Sequence, residues 1–359
     1  MEFDASDSRY HRWVSILAGG HGTRLLPLTR KITGDDRPKQ FCAVVSNETL
    51  LQQTQRRVSR LVQPWRTLLV LTKTHESFYA DQVAGIPSSR LVIQPCNQGT
   101  APAILYSLLR LCEMDPEGLV AFFPSDHHFS DEEAFIRHLD SAYAPAASRP
   151  EVVIILGIPP ETPEVEYGWI EPGISLGSPV SNPVYRLSRF WEKPYWTLAL
   201  ALMKRGCLWN SFVMVGHVHT LLNLIRRALP GLVESFESIR SSFFTASERR
   251  ALCELYSGVR APSFSQDVLS VQPNGLAVLC GTGLGWSDLE TPAVSSPSLS
   301  AKASRPNGGS NQAAEAGGCW SAKRPPANWI RRRGRRRPTG EGICLSSDFP
   351  FFKEVTTDV

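Results

Sequence analysis

Short apolar runs punctuate the first 160 positions, and between them apolar residues recur at helical spacing. Residues 13–17, 67–72, 90–93, 119–123 and 152–157 are rich in Val, Ile, Leu and Phe. Runs of that length read as strands buried on both faces. Residues 49–62 place Leu50, Leu51, Thr54, Val58 and Leu61 on one helical face, with Arg56, Arg57 and Arg60 largely outside it. Thr74 is placed to cap a helix running through residue 83. Thr100 is placed to cap another that runs to about residue 114, with Pro102 in its first turn. Residues 131–144 read as a further helix. Apolar strands alternating with helices predict a doubly wound, mostly parallel sheet.

Beyond residue 160 the pattern loosens. Residues 167–170, 184–191 and 276–279 read as strands, and 195–203, 219–228, 231–240 and 246–256 as helices. After residue 291 periodicity ends in a texture of Ser, Pro, Gly, Ala and Arg, with six arginines over 331–337 interrupted only by Gly334. The expected organisation is a leader over 1–12, one α/β domain over 13–290, and a low-complexity basic tail over 291–359, disordered by composition. For that tail three readings stay open: a solvated segment, a nucleic-acid tether, or the product of a shifted reading frame.

Charge and cysteine usage narrow the class. The formal net charge is +4, but eleven Lys/Arg against five Asp/Glu from Thr291 onward more than account for it. The preceding chain is mildly acidic, so no nucleic-acid footprint is expected there. No apolar run approaches the roughly 20 residues that span a bilayer, and the leader carries Glu2, Asp4 and Asp7 without an apolar core, unlike a secretory signal. The eight cysteines contain no CxxC pair. They read as reduced thiols of a cytoplasmic protein rather than a disulfide frame or zinc site.

The strongest chemical signal is Leu17-Ala18-Gly19-Gly20-His21-Gly22-Thr23-Arg24, followed by Pro38-Lys39-Gln40-Phe41. A strand feeding a Gly-rich loop lets backbone N–H groups approach a phosphate without interference from Cβ atoms. Arg24 and Lys39 would then neutralise a triphosphate. Neither GxxxxGK nor GxGxxG is present. The plainer alternative is a tight turn flanked by surface cations, and a surface Lys39 would contribute little to folding. Asp126 ends an apolar strand, where ligands bind in open α/β sheets. His127 and His128, and likewise His217 and His219 on a strand-like stretch, lack the companions a transition-metal site needs.

Taken whole, the string resembles the signature of the sugar-1-phosphate nucleotidylyltransferases, and Pro38-Lys39-Gln40-Phe41 resembles the form typical of their mannose-1-phosphate guanylyltransferase branch. The resemblance continues in order through Gln94–Ile104, Phe123-Pro124-Ser125-Asp126-His127, Tyr167-Gly168-Trp169-Ile170-Glu171, Glu192-Lys193-Pro194, Trp209-Asn210-Ser211 and Gly285-Trp286-Ser287-Asp288. It departs at Gln98-Gly99-Thr100, where many members have Arg-Asn-Thr, matches only loosely over 262–267, and ends near Glu290 without the relatives' C-terminal extension.

The resemblance implies a Rossmann-like nucleotide-diphospho-sugar transferase fold and the substrates GTP and mannose 1-phosphate. It implies nucleotide contacts from Leu17, Ala18, Gly19, Gly20, Gly22, Thr23, Gln94, Pro95, Gly99, Thr100 and Ala101. Gly168, Glu192, Lys193 and Asn210 would meet the sugar phosphate. Arg24, Lys39, Asp126 and Lys193 would be the catalytic groups, and Asp126 with Asp288 would hold Mg²⁺. Two rivals stay open: a uridylyl- or adenylyltransferase for another hexose 1-phosphate, and a non-catalytic nucleotide-binding relative. No membrane or nucleic-acid partner is expected, and self-association is left open.

Overall fold

The computed structural model describes residues 11–177 and 183–289. The leader, apart from its last two residues, and the 291–359 tail with its arginine run lie outside the described residues.

Eleven strands are present among those residues: β1 (Arg12–Leu17), β2 (Thr67–Thr72), β3 (Leu91–Gln94), β4 (Leu119–Pro124), β5 (His128–Phe129), β6 (Val153–Ile158), β7 (Gly168–Ser175), β8 (Val184–Glu192), β9 (Leu208–His217), β10 (Leu276–Cys280) and β11 (Trp286–Ser287). Nine form one sheet in the order β3-β2-β1-β4-β9-β6-β10-β8-β7, and β5 pairs with β11 in a separate ribbon. Seven of the nine run one way; β9, antiparallel to β4 and β6, and β8, antiparallel to β10 and β7, are reversed. The sheet is thus mostly parallel in direction but mixed in pairing. The apolar pattern does not predict β9, yet it sits at the sheet's centre. His217 closes it and His219 lies in the helix that follows, so the two histidines do not alternate along one strand.

The helices are α1 (Leu26–Thr33), α2 (Leu50–Val58), α3 (Glu76–Val83), α4 (Thr100–Met114), α5 (Glu132–Ser148), α6 (Trp196–Lys204), α7 (Val218–Ala228), α8 (Pro230–Glu237) and α9 (Glu248–Gly258). Alternate strand residues serve opposite layers: Leu68 and Val70 of β2 pack toward α4, α7, α8 and α9, while Leu69 and Leu71 pack toward α2, α3, α5 and α6. Both faces are therefore covered, which is why these strands read as continuous apolar runs. Each such side chain contributes about 1.5–3 kcal/mol on burial.

Several local expectations are corrected. α2 stops at Val58; Thr49 caps it through a reciprocal capping box with Gln52. Arg57 does not face solvent: it is 2% exposed, its guanidinium hydrogen-bonds Glu132 of α5 at 3.3 Å and lies over the Phe129 ring. A buried arginine is tolerable when paired and stacked in this way. Thr74 does not cap α3; a 3₁₀ turn over Lys73–His75 intervenes and His75 takes the cap position. Asp131 caps α5, accepting from the Ala134 N–H at 2.8 Å, and α5 continues past Pro145.

Candidate active site

β1 delivers the chain into Ala18-Gly19-Gly20-His21-Gly22 at the carboxyl edge of the sheet. A Cβ on Gly19 would lie 2.8 Å from Thr72 Oγ1 and 2.9 Å from Gln94 Nε2, so only glycine fits between the ends of β2 and β3. The Thr72 hydroxyl donates to the Gly19 carbonyl at 3.0 Å. Gln40, 2% exposed, donates from Nε2 to the carbonyls of Ala18 (3.1 Å) and Gly20 (2.7 Å). The loop is thereby held from beneath, with its carbonyls satisfied by the protein. Sequence reasoning gives Gln40 no role; the Pro-Lys-Gln-Phe string is the signal that could have found it. Phe41 is fully buried against Phe78, Tyr79 and His75 and anchors the turn that carries Lys39 and Gln40. His75 Nε2 meets His21 Nδ1 at 3.0 Å. Burial, reinforced by His21, depresses the His75 imidazole to about 4.

Lys39 is not a surface cation. It is 1% exposed, donates to the Asp288 carbonyl at 2.8 Å and pairs with Asp126 Oδ2 at 3.2 Å. The 3₁₀ turn Lys39–Phe41 buries its stem, and Asp126 supplies the counter-charge that burial demands. Burial pushes the Asp126 carboxyl up, but the Lys39 ammonium and His127 outweigh this and leave it below the ordinary range. Asp126 follows β4 directly. Asp288 does not follow β10 directly: the ribbon β11–β5 intervenes and returns it to the same place. The Tyr167 hydroxyl donates to Asp288 Oδ1 at 2.6 Å and orients that carboxylate. Trp286 Nε1 donates to His127 Nδ1 at 3.2 Å, tying the ribbon to the β4 turn.

The opposite wall comes from β7, β8 and β9. Lys193, just beyond β8, has φ +45°, a left-handed conformation costly for a residue with a Cβ, and its N–H is held by the Tyr167 carbonyl at 3.2 Å. Glu192 Oε2 is buried without a hydrogen-bond partner, and burial pushes this carboxyl above its ordinary range against the pull of Lys193. Asn210 lies beside a break in the β6–β9 register: Ile155 pairs with Met214, yet Gly157 pairs with Asn210. Phe212 in the excess segment takes φ +59°, and its N–H is accepted by Asn210 Oδ1 at 2.9 Å. Bulges of this kind re-aim side chains.

At the far end, Gln94 closes β3 and its Oε1 accepts from the Tyr256 hydroxyl at 3.1 Å. Gly99 has φ +84°, and a Cβ there would lie 2.6 Å from the Pro262 carbonyl. Thr100 does not cap α4; it begins the helix, and its hydroxyl oxygen accepts from the Phe264 N–H at 2.8 Å. Both contacts recruit the loosely matching 262–267 segment, which brings Ser263 and Ser265 to the crevice.

These walls enclose a crevice of about 450 Å³. Of the residues singled out from sequence, Leu17, Gly19, Gly20, Gln94, Gly99 and Thr100 line it. So do Lys39, Asp126, Asp288, Gly168, Glu192, Lys193 and Asn210. Ala18, Gly22, Thr23, Arg24, Pro95 and Ala101 do not line it. Ala18 and Ala101 are fully buried behind it, and Pro95 faces a separate groove over β3. Arg24 stands outside, pairing with Glu166 at 3.0 Å. Glu166, Tyr167, Gln40 and Asn97 line the crevice although sequence reasoning assigns them no contact. Among the described residues no group of three or more His, Cys, Asp or Glu side chains is placed to hold a metal, and no helix is long and apolar enough to cross a membrane.

The fold and this crevice define a class: α/β proteins that take their ligand across the carboxyl ends of the strands of an open sheet. Residues 14–237 match the family model described as nucleotidyl transferase. That match covers more than half of the chain, which therefore belongs to the nucleotidyl transferase family. The chain is 29% identical to the xanthan biosynthesis protein XanB of Xanthomonas campestris pv. campestris over 282 residues, 76% of this chain and 56% of that protein. It is also 29% identical to mannose-1-phosphate guanylyltransferase 2 of Escherichia coli O157:H7 over 283 residues, 76% of this chain and 57% of that protein. The chain spans about half the length of the curated relatives it matches. A crystal structure from Thermus thermophilus, described as a mannose-1-phosphate geranyltransferase, superposes with a TM-score of 0.67 at 31% identity, covering 78% of this chain and 76% of that one.

Proposed function

We propose that the 13–290 region is a mannose-1-phosphate guanylyltransferase, converting GTP and mannose 1-phosphate to GDP-mannose and pyrophosphate. The observation that carries this reading is the meeting of Lys39, Asp126 and Asp288 in one crevice, between a glycine loop and a wall bearing Glu192, Lys193 and Asn210. A sugar phosphate oxygen attacks the α-phosphorus in line, and pyrophosphate leaves from the opposite side. Lys39, with Arg24 at the rim, offsets charge on the leaving pyrophosphate; Lys193 holds the attacking phosphate. The orphaned Glu192 Oε2 and the amide of Asn210 suit sugar hydroxyls, which need an acceptor and a donor at fixed positions. Backbone N–H groups of the Gly19–Gly20 turn and the Gln94–Thr100 segment serve the nucleotide. Catalysis on this reading is positioning and charge neutralisation, with no covalent intermediate.

Nucleotidyl transferases generally work with a divalent metal. The donor set here fits Mg²⁺: the Lys39 ammonium meets the Asp126 carboxylate and the Asp288 main-chain carbonyl, the Asp288 carboxylate lines the same crevice, and Mg²⁺ takes one or two carboxylates and completes its shell with water and phosphate oxygens. When bound, the ion supplies Lewis-acid stabilisation of phosphate charge. The test is a pyrophosphate-release assay crossing GTP, ATP, UTP and dTTP with mannose and glucose 1-phosphates. GTP with mannose 1-phosphate is the expected preferred pair; higher turnover with UTP or dTTP and glucose 1-phosphate would overturn the substrate assignment. The relatives' names suit a role in nucleotide-sugar supply, and a cytoplasmic location is part of the same proposal.

A further inference from the structure

Glu166 stands at the rim where the two walls approach, and one oxygen, Oε2, serves two cations: Arg24 Nη2 at 3.0 Å and Lys193 Nζ at 3.3 Å. The two cationic nitrogens are therefore no farther apart than those two distances laid end to end. Arg24 comes from the glycine-loop side and Lys193 from the β8 side, so this carboxylate bridges the opposing walls at that point. All three side chains are about half exposed. Exposed ion pairs contribute little to folding, and the Glu166 side chain is half exposed. Its backbone N–H is accepted by Glu164 Oε1 at 3.3 Å. Lys193, meanwhile, is held in a left-handed backbone conformation that delivers its side chain to this spot.

We propose that the Glu166 carboxylate stands in for the substrate phosphates that Arg24 and Lys193 take up, and that substrate binds by exchanging with it. This rests on the reading of the crevice as a site for a sugar phosphate and a nucleoside triphosphate. A carboxylate offers one negative charge and a planar pair of acceptors; a phosphate monoester offers up to two charges and three acceptor oxygens in a tetrahedral array. Both cations remain satisfied through the exchange, and only the counter-ion changes. The incoming anion repels Glu166, which swings toward solvent from its exposed loop. Glu166 is thus a positioning residue: it keeps the two cations gathered before substrate arrives, and it competes for them. The competition raises the apparent dissociation constant for phosphate ligands to the intrinsic value divided by the fraction of molecules in which Glu166 has let go of the two cations.

The test uses the full chain and three probes: inorganic phosphate, pyrophosphate and mannose 1-phosphate, titrated by calorimetry into the parent protein, Glu166→Gln and Glu166→Asp. Glu166→Gln keeps shape and removes the charge. It is expected to bind inorganic phosphate and mannose 1-phosphate about three- to five-fold more tightly, the worth of an exposed ion pair, with Glu166→Asp close to the parent. In turnover the same variant lowers the KM for the sugar phosphate by more than it changes kcat, a split that a merely structural residue would not give. In a Lys193→Ala background the gain from Glu166→Gln disappears. Unchanged or weaker phosphate binding by Glu166→Gln overturns the proposal, as does a gain that survives Lys193→Ala. If inorganic phosphate shows the gain while mannose 1-phosphate binds neither protein, the exchange stands and the substrate assignment fails.

Discussion

The crevice wall built by β1, β4 and the Lys39 turn is anchored inside the protein, whereas the wall built by β7, β8 and β9 stands on irregular backbone. On the first wall Lys39 and Gln40 are almost wholly buried, and the glycine loop has its carbonyls satisfied by Gln40 and Thr72. On the second, Lys193 and Phe212 adopt left-handed conformations, Glu192 retains an orphan oxygen, and the Lys193 ammonium is half exposed. On the proposed reading, parallel strand ends place a chemistry that needs fixed charge, and a bulge and a strained residue place contacts that select one ligand among similar ones. A site divided in this way holds its reactive geometry constant while its preference is adjusted opposite.

The sharpest way to break this comparison is to remove a charge from the anchored wall. Lys39→Ala is expected to lower turnover by about 10²–10³-fold and to destabilise the fold by about 2–4 kcal/mol, because Asp126 loses its buried partner. Steady-state kinetics and thermal unfolding read the two effects. A variant that loses turnover and keeps its melting temperature would show that Lys39 is not anchored as its burial indicates. Asp288→Asn is expected to abolish turnover as well, with an unchanged circular dichroism spectrum; normal turnover would leave Asp126 alone as the supported metal ligand.

Acid should loosen the anchored wall first. His75 titrates near 4 in the folded protein, against about 6.5 in an unfolded chain. Its folded-state value is depressed, so the unfolded chain takes up a proton first as the pH drops. Stability is full above about 6.5 and is lost between 6.5 and about 4, by up to roughly 3 kcal/mol. Melting temperatures across that window measure the loss, and His75→Gln should flatten the profile. An equally steep profile in the variant would assign the loss to other groups.

Smaller effects belong to the irregular wall. Asn210→Ala is expected to raise the KM for the sugar phosphate about ten-fold while the KM for the nucleotide stays within two-fold; equal changes in both would erase the division of labour. Smallest of all, Lys193→Gly should relieve the left-handed backbone and raise stability by about 0.5 kcal/mol while weakening sugar-phosphate binding. Chemical denaturation measures the first change and calorimetry the second. Loss of stability would mean that φ +45° stores no strain there.

The parallel half of the sheet was legible in the sequence because burial on both faces writes each strand as an uninterrupted apolar run. The runs at 13–17, 67–72, 90–93, 119–123 and 152–157 fall within one or two residues of β1, β2, β3, β4 and β6. β9 escaped because the bulge over residues 211–213 shifts the phase of alternation midway, so no single period holds across its ten residues. The burial of Arg57 and Lys39 was not legible because the groups that permit it lie far along the chain: Glu132 for Arg57, and the Asp126 carboxylate with the Asp288 carbonyl for Lys39. The ordered motifs brought forward most of the crevice lining. They could not bring forward Glu166, whose importance rests on two cations that only folding gathers around it.

The pairing of Lys39 with Asp288 has a consequence for when the protein becomes competent. A chain emerging from a ribosome presents its glycine loop and Lys39 early, just after β1 and α1. β10, however, is an interior strand lodged between β6 and β8, and it is among the last parts of the sheet to be synthesised. The sheet therefore cannot close edge by edge as it is made: a gap stays open until residue 280 arrives, and the second aspartate follows eight residues later. Every shorter nascent chain carries half a crevice with a lysine that has not yet met its last partner.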